Sequence, residues 1–159
     1  MKTLIIYATK HGATADIARR IAELIDEPVI HDMKQDEIPS MDGFDCVVIG
    51  SPVYAGMIRK EAKSFIERNA DTLCAKNLGL FLSAMDMSGD KKFFEENVPE
   101  DILRSAKAAS VLGAVFDPKK AGLFERLIMR LVSKQSGYIS TIDDEKIRQF
   151  VEAINTCSG

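Results

Sequence analysis

Five short apolar runs alternate along the chain with stretches whose apolar residues recur at helical spacing. Runs of about four to eight apolar residues bounded by turn residues are typical of strands buried in a parallel sheet. The predicted strands cover residues 2–8, 28–33, 45–50, 77–83 and 108–115. The run at 28–33 is the most polar, so we expect that strand near an edge of the sheet.

The helical stretches lie between and after these runs. They cover about residues 14–25, 59–69, 93–107 and 144–155, and Pro99 interrupts the third because proline lacks the N–H that a helix needs. Asp143 or Thr141 is a candidate N-cap for the last helix. Alternating strands and helices predict a doubly wound α/β fold, in which right-handed crossovers place helices on both faces of a parallel sheet.

Length and charge limit the class of protein. The chain has 159 residues, which suits one domain over residues 1–159, and its net charge is −3. That charge argues against nucleic-acid binding. No apolar run approaches the ~20 residues that span a bilayer. Met1 and Lys2 lead directly into the first predicted strand and a loop follows it, so we expect a cytoplasmic protein.

The cysteines and histidines argue against metal or disulfide chemistry. Cys46, Cys74 and Cys157 are odd in number and form no C-x-x-C pair, and Cys46 reads as a small buried hydrophobe. His11 and His31 lack the spacing of metal ligands. We therefore predict no metal site.

The stretch between the first strand and the first helix is the most informative. Its residues are Thr9, Lys10, His11, Gly12, Ala13 and Thr14. The unpaired N–H groups and the dipole of a helix N-terminus favour an anion, to which two hydroxyls can also donate. Neither the triphosphatase loop nor the dinucleotide fingerprint is present, so the stretch is either another kind of phosphate loop or a simple capped helix start.

The pattern T-x-x-G-x-T at Thr9, Gly12 and Thr14 resembles the FMN phosphate loop of flavodoxins, and the resemblance extends over nearly the whole chain. It implies FMN as cofactor and a flavodoxin-like three-layer sandwich, with a five-stranded parallel sheet of order 2-1-3-4-5. Residues 111–114, 124–131 and 136–137 are similar to the flavodoxin-type, menaquinone-dependent protoporphyrinogen IX dehydrogenases of bacteria.

Ligands of such sheets bind beyond the carboxyl ends of the strands, so two further loops are candidates. After the third strand, we predict that cofactor contacts come from Pro52, Val53, Tyr54, Ala55 and Gly56. Tyr54 resembles an aromatic of the related dehydrogenases. Its ring either stacks on the flavin or sits at the flavin's edge, or else it packs against the next helix.

After the fourth strand, the predicted contacts are Ser83, Ala84, Met85 and Asp86. This loop has no aromatic residue and the chain has no Trp, unlike many electron-shuttle flavodoxins. One flavin face is therefore covered by Met85 or open to a substrate, unless Met85 and Met87 are ordinary core residues. Asp86 either orients a flavin N–H or is a solvated turn residue.

An extra segment at about 116–141 precedes the last helix. Residues 118–134 contain five basic residues and one acidic residue, and 123–134 read as an amphipathic helix with a basic flank. Such a helix can lie peripherally on the inner face of the cell membrane, border a pocket for an acidic substrate such as a porphyrinogen, or pack on its own domain.

Three functions follow from these features. The first is an FMN-dependent oxidoreductase that passes electrons from a porphyrinogen-like substrate to a quinone, with the flavin rather than a catalytic side chain carrying the chemistry. The second is an electron carrier between partner proteins, which the mild charge of −3 disfavours. The third, a binding module without flavin, is disfavoured by the intact phosphate loop.

Overall fold

The computed structural model describes residues 1–35, 37–117 and 139–156. Five parallel strands form the central sheet: β1 (Thr3–Tyr7), β2 (Pro28–Asp32), β3 (Cys46–Tyr54), β5 (Asn77–Ser83) and β6 (Ala108–Val111). Their spatial order, β2-β1-β3-β5-β6, confirms the predicted order 2-1-3-4-5, with one short antiparallel strand, β4 (Met57–Ile58), added beside β3. The polar strand β2 is at an edge, as predicted.

Six helices among the described residues cover the two faces. They are α1 (Ala13–Glu23), α2 (Lys60–Arg68), α3 (Ala70–Cys74), α4 (Asp90–Asn97), α5 (Glu100–Ser105) and α6 (Asp144–Asn155). The five-residue α3 was not predicted, and a single 3₁₀ turn covers Met41–Gly43. Asp143 caps α6, because its carboxylate accepts hydrogen bonds from the N–H groups of Glu145 and Lys146.

The helices and the sheet enclose two hydrophobic clusters. On one face, Ile17 and Ile21 of α1 pack with Ile147 and Phe150 of α6. On the other face, α2, α3, α4 and α5 contribute buried residues to a second cluster. The three layers of the predicted sandwich are thus helices, sheet and helices. Cys46 is fully buried in the first cluster, as predicted.

Two strand ends differ from prediction. The strand predicted to reach residue 115 ends at Val111, because Gly113 adopts a φ of +101° and turns the chain. Beyond this turn, β7 (Val115–Phe116) pairs with β8 (Ile139–Ser140) in a separate two-stranded sheet. The strand predicted to end at residue 50 continues to Tyr54, so most of the predicted loop 50–57 is a β3–β4 hairpin.

Most of the predicted extra segment 116–141 lies outside the described residues. This includes the whole predicted amphipathic helix 123–134 and its basic residues, and Cys157 lies outside them as well. Among the residues that the structure describes, no helix is long and apolar enough to cross a membrane.

Candidate functional site

A cavity of about 260 Å³ opens at the carboxyl edge of the sheet. The volume is far larger than the roughly 30 Å³ share of one water molecule, so the cavity is of ligand size. Its lining comes from four segments: Thr9, Lys10, His11, Ala13 and Thr14; Pro52, Val53, Tyr54 and Ala55; Ser83, Ala84 and Met85; and Ala114, Val115, Phe116 and Asp117. The structure thus brings three predicted loops together and adds a fourth.

The first segment connects β1 to α1. Gly12 is the N-cap of α1 and adopts a φ of +94°, a conformation that glycine reaches without steric cost. The Thr9 hydroxyl accepts a hydrogen bond from the N–H of Gly12 at 3.0 Å, which folds the loop back on itself. No side chain caps this end of α1 within the described chain. The arrangement leaves the helix N-terminus available to an anion.

Thr14 supplies a buried hydroxyl group at the start of α1. Its side chain lines the cavity and the residue is only 1% exposed, yet its Oγ1 has no hydrogen-bond partner among the described residues. A buried hydroxyl left unpaired costs about 1–3 kcal/mol. A phosphate oxygen at the N-terminus of α1 would accept this hydrogen bond. The donors present here therefore fit the phosphate of FMN, the cofactor that the sequence resemblance implies.

Tyr54, at the end of β3, packs against this same loop. The Nζ of Lys10 lies 4.9 Å from the centre of the Tyr54 ring, within cation–π range. The His11 ring meets the Tyr54 ring edge-on, with centroids 6.3 Å apart. Tyr54 is 38% exposed and lines the cavity. The aromatic side chain and the predicted phosphate loop therefore form one contiguous wall.

A two-residue turn follows Tyr54. Ala55 and Gly56 have φ values of 50° and 76°, and the strand pairs Tyr54–Met57 and Val53–Ile58 flank them. Positive φ at both central residues defines a type I′ turn, whose twist matches that of a β-hairpin. Gly56 forms this turn but does not line the cavity, whereas Ala55 does.

Asn97, at the end of α4, holds this hairpin and was missed by the sequence analysis. Its Oδ1 accepts a hydrogen bond from the N–H of Ile58 at 3.0 Å. Its Nδ2 donates to the carbonyl oxygens of Gly56 and Phe93, both at 2.8 Å. The residue is 3% exposed. A buried Asn needs partners, but its sequence position gives no indication of which they are.

The residues of the loop after β5 differ in burial and in whether they line the cavity. Ser83 and Ala84 are buried and Met85 is half-buried; all three line the cavity. Met87 instead packs against the core. Asp86 is exposed and lies outside the cavity lining.

The Asp86 carboxylate belongs to a tight turn. It accepts hydrogen bonds from the hydroxyl of Ser88 at 2.6 Å and from the N–H of Ser88 at 2.9 Å. These bonds lower the pKa of Asp86, the hydroxyl contributing most. The geometry accords with the turn role of Asp86, one of the two roles left open by the sequence.

The fourth segment, residues 114–117, was not among the predicted contacts. It reaches the cavity because the chain reverses at Gly113, and Thr141 fixes it in place. The Thr141 N–H donates to the carbonyl of Ala114 at 2.8 Å, and its hydroxyl accepts from the N–H of Ala114 at 3.1 Å. Gly113 was the available sequence signal, because a glycine inside a strand pattern often marks a break.

Residues 4–143 match a family model described as Flavodoxin domain. A curated relative, protoporphyrinogen IX dehydrogenase [quinone] of Escherichia coli strain K12, is 24% identical over 148 residues, covering 86% of this chain and 81% of the relative.

Two solved structures share the fold. One is the rubredoxin oxygen:oxidoreductase of Desulfovibrio gigas (TM-score 0.62, 14% identity); the match covers 96% of this chain and only 35% of that one. The other is a flavoprotein of Lactobacillus acidophilus in complex with FMN (TM-score 0.52, 17% identity), with 70% of this chain and 90% of that one covered.

Proposed function

The chain belongs to the flavodoxin domain family, and from that premise we propose that it is an FMN-dependent oxidoreductase whose cavity holds the flavin. The observation that carries the proposal is the buried Thr14 hydroxyl near the start of α1, which has no hydrogen-bond partner in the part of the chain that the structure describes, at a helix end that no described side chain caps. A helix N-terminus with an unused buried donor suits a phosphate monoester. This feature also separates the proposal from a module that uses the fold without a phosphate ligand.

The phosphate contacts come from the loop after β1. The hydroxyl of Thr14 and the backbone N–H groups at the start of α1 hold the phosphate, and Lys10 adds positive charge at the same wall. The Thr9 hydroxyl already accepts from Gly12, so Thr9 shapes the loop while its own proton remains a donor.

The other three segments form the ring site. The cavity is lined by two aromatic residues, Tyr54 and Phe116, and by Met85, whose side chain is apolar and flexible. These side chains exclude water and orient the flavin. Bound FMN supplies the redox chemistry, since it accepts and donates electrons singly or in pairs. We assign no acid–base residue.

We propose further that the donor is a small reduced molecule of the porphyrinogen class and the acceptor a quinone. Two features support this: the loop after β5 carries no aromatic residue, although Phe116 of the fourth segment lines the cavity, and the curated E. coli relative is a protoporphyrinogen IX dehydrogenase [quinone]. Tyr54 (38% exposed) lines the cavity, and Met57 (51% exposed), its partner across the hairpin, lies outside the lining; together they form an exposed apolar rim beside the cavity. An apolar rim suits a planar organic substrate better than a water-soluble ion.

An electron carrier is the second candidate. The same exposed rim of Tyr54 and Met57 is compatible with docking of a partner protein. A carrier would exchange electrons with protein partners and would show no turnover with a porphyrinogen and a quinone. The net charge of −3 offers little electrostatic steering towards a basic partner.

FMN titration of the purified apoprotein, followed by flavin fluorescence and absorption, tests the proposal. We expect saturable binding of FMN and weaker binding of riboflavin, which lacks the phosphate. The loaded protein is then reduced stepwise under anaerobic conditions and assayed with protoporphyrinogen IX and a menaquinone analogue. Binding without turnover would favour the carrier, and absence of FMN binding would refute both redox functions.

A further inference from the structure

Asn97 lies at the end of α4 and is not among the residues that line the cavity. Its side chain nevertheless uses its amide fully: both Nδ2 hydrogens donate, to the carbonyls of Gly56 and Phe93, and Oδ1 accepts from Ile58. Two of these three bonds cross to the β3–β4 hairpin, some forty residues earlier in the chain. Asn97 therefore ties a helix to the hairpin.

Apart from Asn97, the hairpin is held by burial of Ile58 in the core and by a hydrogen bond from the N–H of Arg59 to the hydroxyl oxygen of Ser51 at 3.0 Å, but neither contact involves the turn residues Ala55 and Gly56. Strand β4 has only two residues and pairs with β3 at the positions Tyr54–Met57 and Val53–Ile58. The turn places Ala55 at a φ of 50°, a left-handed conformation that costs a residue with a β-carbon about 1 kcal/mol. A two-residue strand with a strained turn needs support from outside the hairpin.

The bonds from Asn97 bracket this turn. Gly56 is inside it and Ile58 lies two residues further on, and Met57 between them pairs with Tyr54 across the hairpin. Tyr54 in turn lines the cavity and contacts Lys10 and His11. A continuous path of hydrogen bonds and strand pairing thus leads from a buried amide on α4 to the aromatic wall of the site.

We propose that Asn97 is a positioning residue for the flavin site, which sets the placement of the Tyr54 ring by clamping the Gly56–Ile58 end of the hairpin. The inference rests on the proposed FMN function and adds to it a residue that touches no ligand. A Tyr54 ring held in place before binding loses less freedom when the flavin binds, so the clamp raises affinity through preorganisation.

Asn69 provides a matched control. Its Nδ2 donates to the carbonyl of Phe65, four residues earlier, at 2.8 Å, just as Asn97 donates to Phe93. The bond from Asn69 stays within its own helical region, whereas Asn97 also reaches the hairpin. Comparing the two positions separates loss of the hairpin clamp from loss of an ordinary bond to the helix end.

The variants Asn97→Asp and Asn69→Asp keep the size of the side chain, remove the two amide hydrogens and add an ionisable carboxyl group, which at the buried position 97 faces two carbonyl oxygens. Asn97→Leu adds no charge but also removes the acceptor for Ile58. Each folded variant is titrated with FMN and unfolded with urea as apoprotein. We expect the Kd for FMN to rise about tenfold in Asn97→Asp and less than about twofold in Asn69→Asp.

A double-mutant cycle with Tyr54→Leu gives a readout that a merely structural role does not change. If Asn97 acts by placing Tyr54, then Asn97→Asp has little further effect on FMN affinity once the Tyr54 ring is removed. An undiminished effect in the Tyr54→Leu background would overturn the inference. So would unchanged FMN affinity in Asn97→Asp accompanied by lower urea stability, because Asn97 would then support only the fold.

These failures differ from failure of the proposed function. If the unmodified protein does not bind FMN, both the function and the inference fall. If the unmodified protein binds FMN and the two Asp variants have equal affinity, only the inference falls. Should one of the two Asn97 variants fail to fold, the other still gives the comparison.

Discussion

A β-carbon on Gly113 would lie 2.2 Å from the carbonyl oxygen of Thr141. The two residues belong to segments that cross where the chain leaves β6 and where it returns towards α6. The three nearest atoms, the carbonyl oxygen and carbon of Thr141 and the Cα of Ile142, all belong to the backbone, so no rotamer change relieves the contacts. The crossing places residues 114–117 at the cavity, so the fourth wall of the site depends on the absence of a side chain at position 113.

Substitution Gly113→Ala is expected to destabilise the protein by more than about 2 kcal/mol, since it adds a backbone clash to a left-handed φ. Urea unfolding measures the change. Gly43→Ala is the control: a β-carbon there meets nothing within 4 Å, and we expect a change within about 0.5 kcal/mol. Equal stability of the two variants would contradict the tight crossing.

Substitution Thr14→Val removes the unpaired hydroxyl while keeping the shape of the side chain. We expect FMN affinity to fall about tenfold, and riboflavin affinity to change much less, because only FMN carries the phosphate. Apoprotein stability should be unchanged or higher, since an unsatisfied buried hydroxyl is lost. Thr3→Val is the control, because Thr3 is equally buried but lies at the start of β1, whereas the loop that leads to Thr14 follows the end of β1. We expect this variant to leave FMN affinity unchanged. An equal loss in both variants would argue against a phosphate contact.

The thiol of Cys46 predicts an alkaline loss of stability. Burial raises the pKa of this thiol from 9.0 to about 11, so between these values the native state keeps a proton that the unfolded state releases. The contribution of Cys46 is therefore fully present below pH 9 and is lost as the pH rises towards 11. Urea unfolding across this pH range should show that the free energy of unfolding falls more steeply with pH in the unmodified protein than in Cys46→Ala. Parallel pH profiles of the two proteins would contradict the raised pKa of Cys46.

Asp143 is the N-cap of α6, and Thr141 is engaged with Ala114 instead. We expect Asp143→Ala to lower the free energy of unfolding by about 1 kcal/mol. Asp143→Asn should keep most of the stability that the cap contributes, because an amide oxygen also accepts hydrogen bonds from the N–H groups. Thermal unfolding measures both. Asp144→Ala, which changes an exposed residue paired with Arg20, should cost less than Asp143→Ala, and the reverse order would show that the cap contributes little.

Much of the fold was predictable because its signals are local. The period of apolar residues distinguishes buried strands from amphipathic helices, and the Gly12 turn after β1 is visible as T-x-x-G-x-T. The residues predicted from the loops after β1, β3 and β5 lie around one cavity, apart from Gly12, Gly56 and Asp86, which lie just outside its lining. Their cofactor contacts remain predictions.

Hydrophobic periodicity and loop chemistry are properties of neighbouring residues, so the sequence was sufficient to predict the parallel sheet and the edge at which we expect a ligand. The strand order was predicted from the resemblance to flavodoxins, and the structure confirms it. The hairpin at Tyr54, its clamp by Asn97 and the wall at 114–117 required the folded chain. The hairpin's own strand pairs are only three and five positions apart, but the clamp and the wall depend on contacts between residues that are 27 to 41 positions apart. A buried amide takes whichever backbone groups the packing brings to it, and no local pattern specifies those partners.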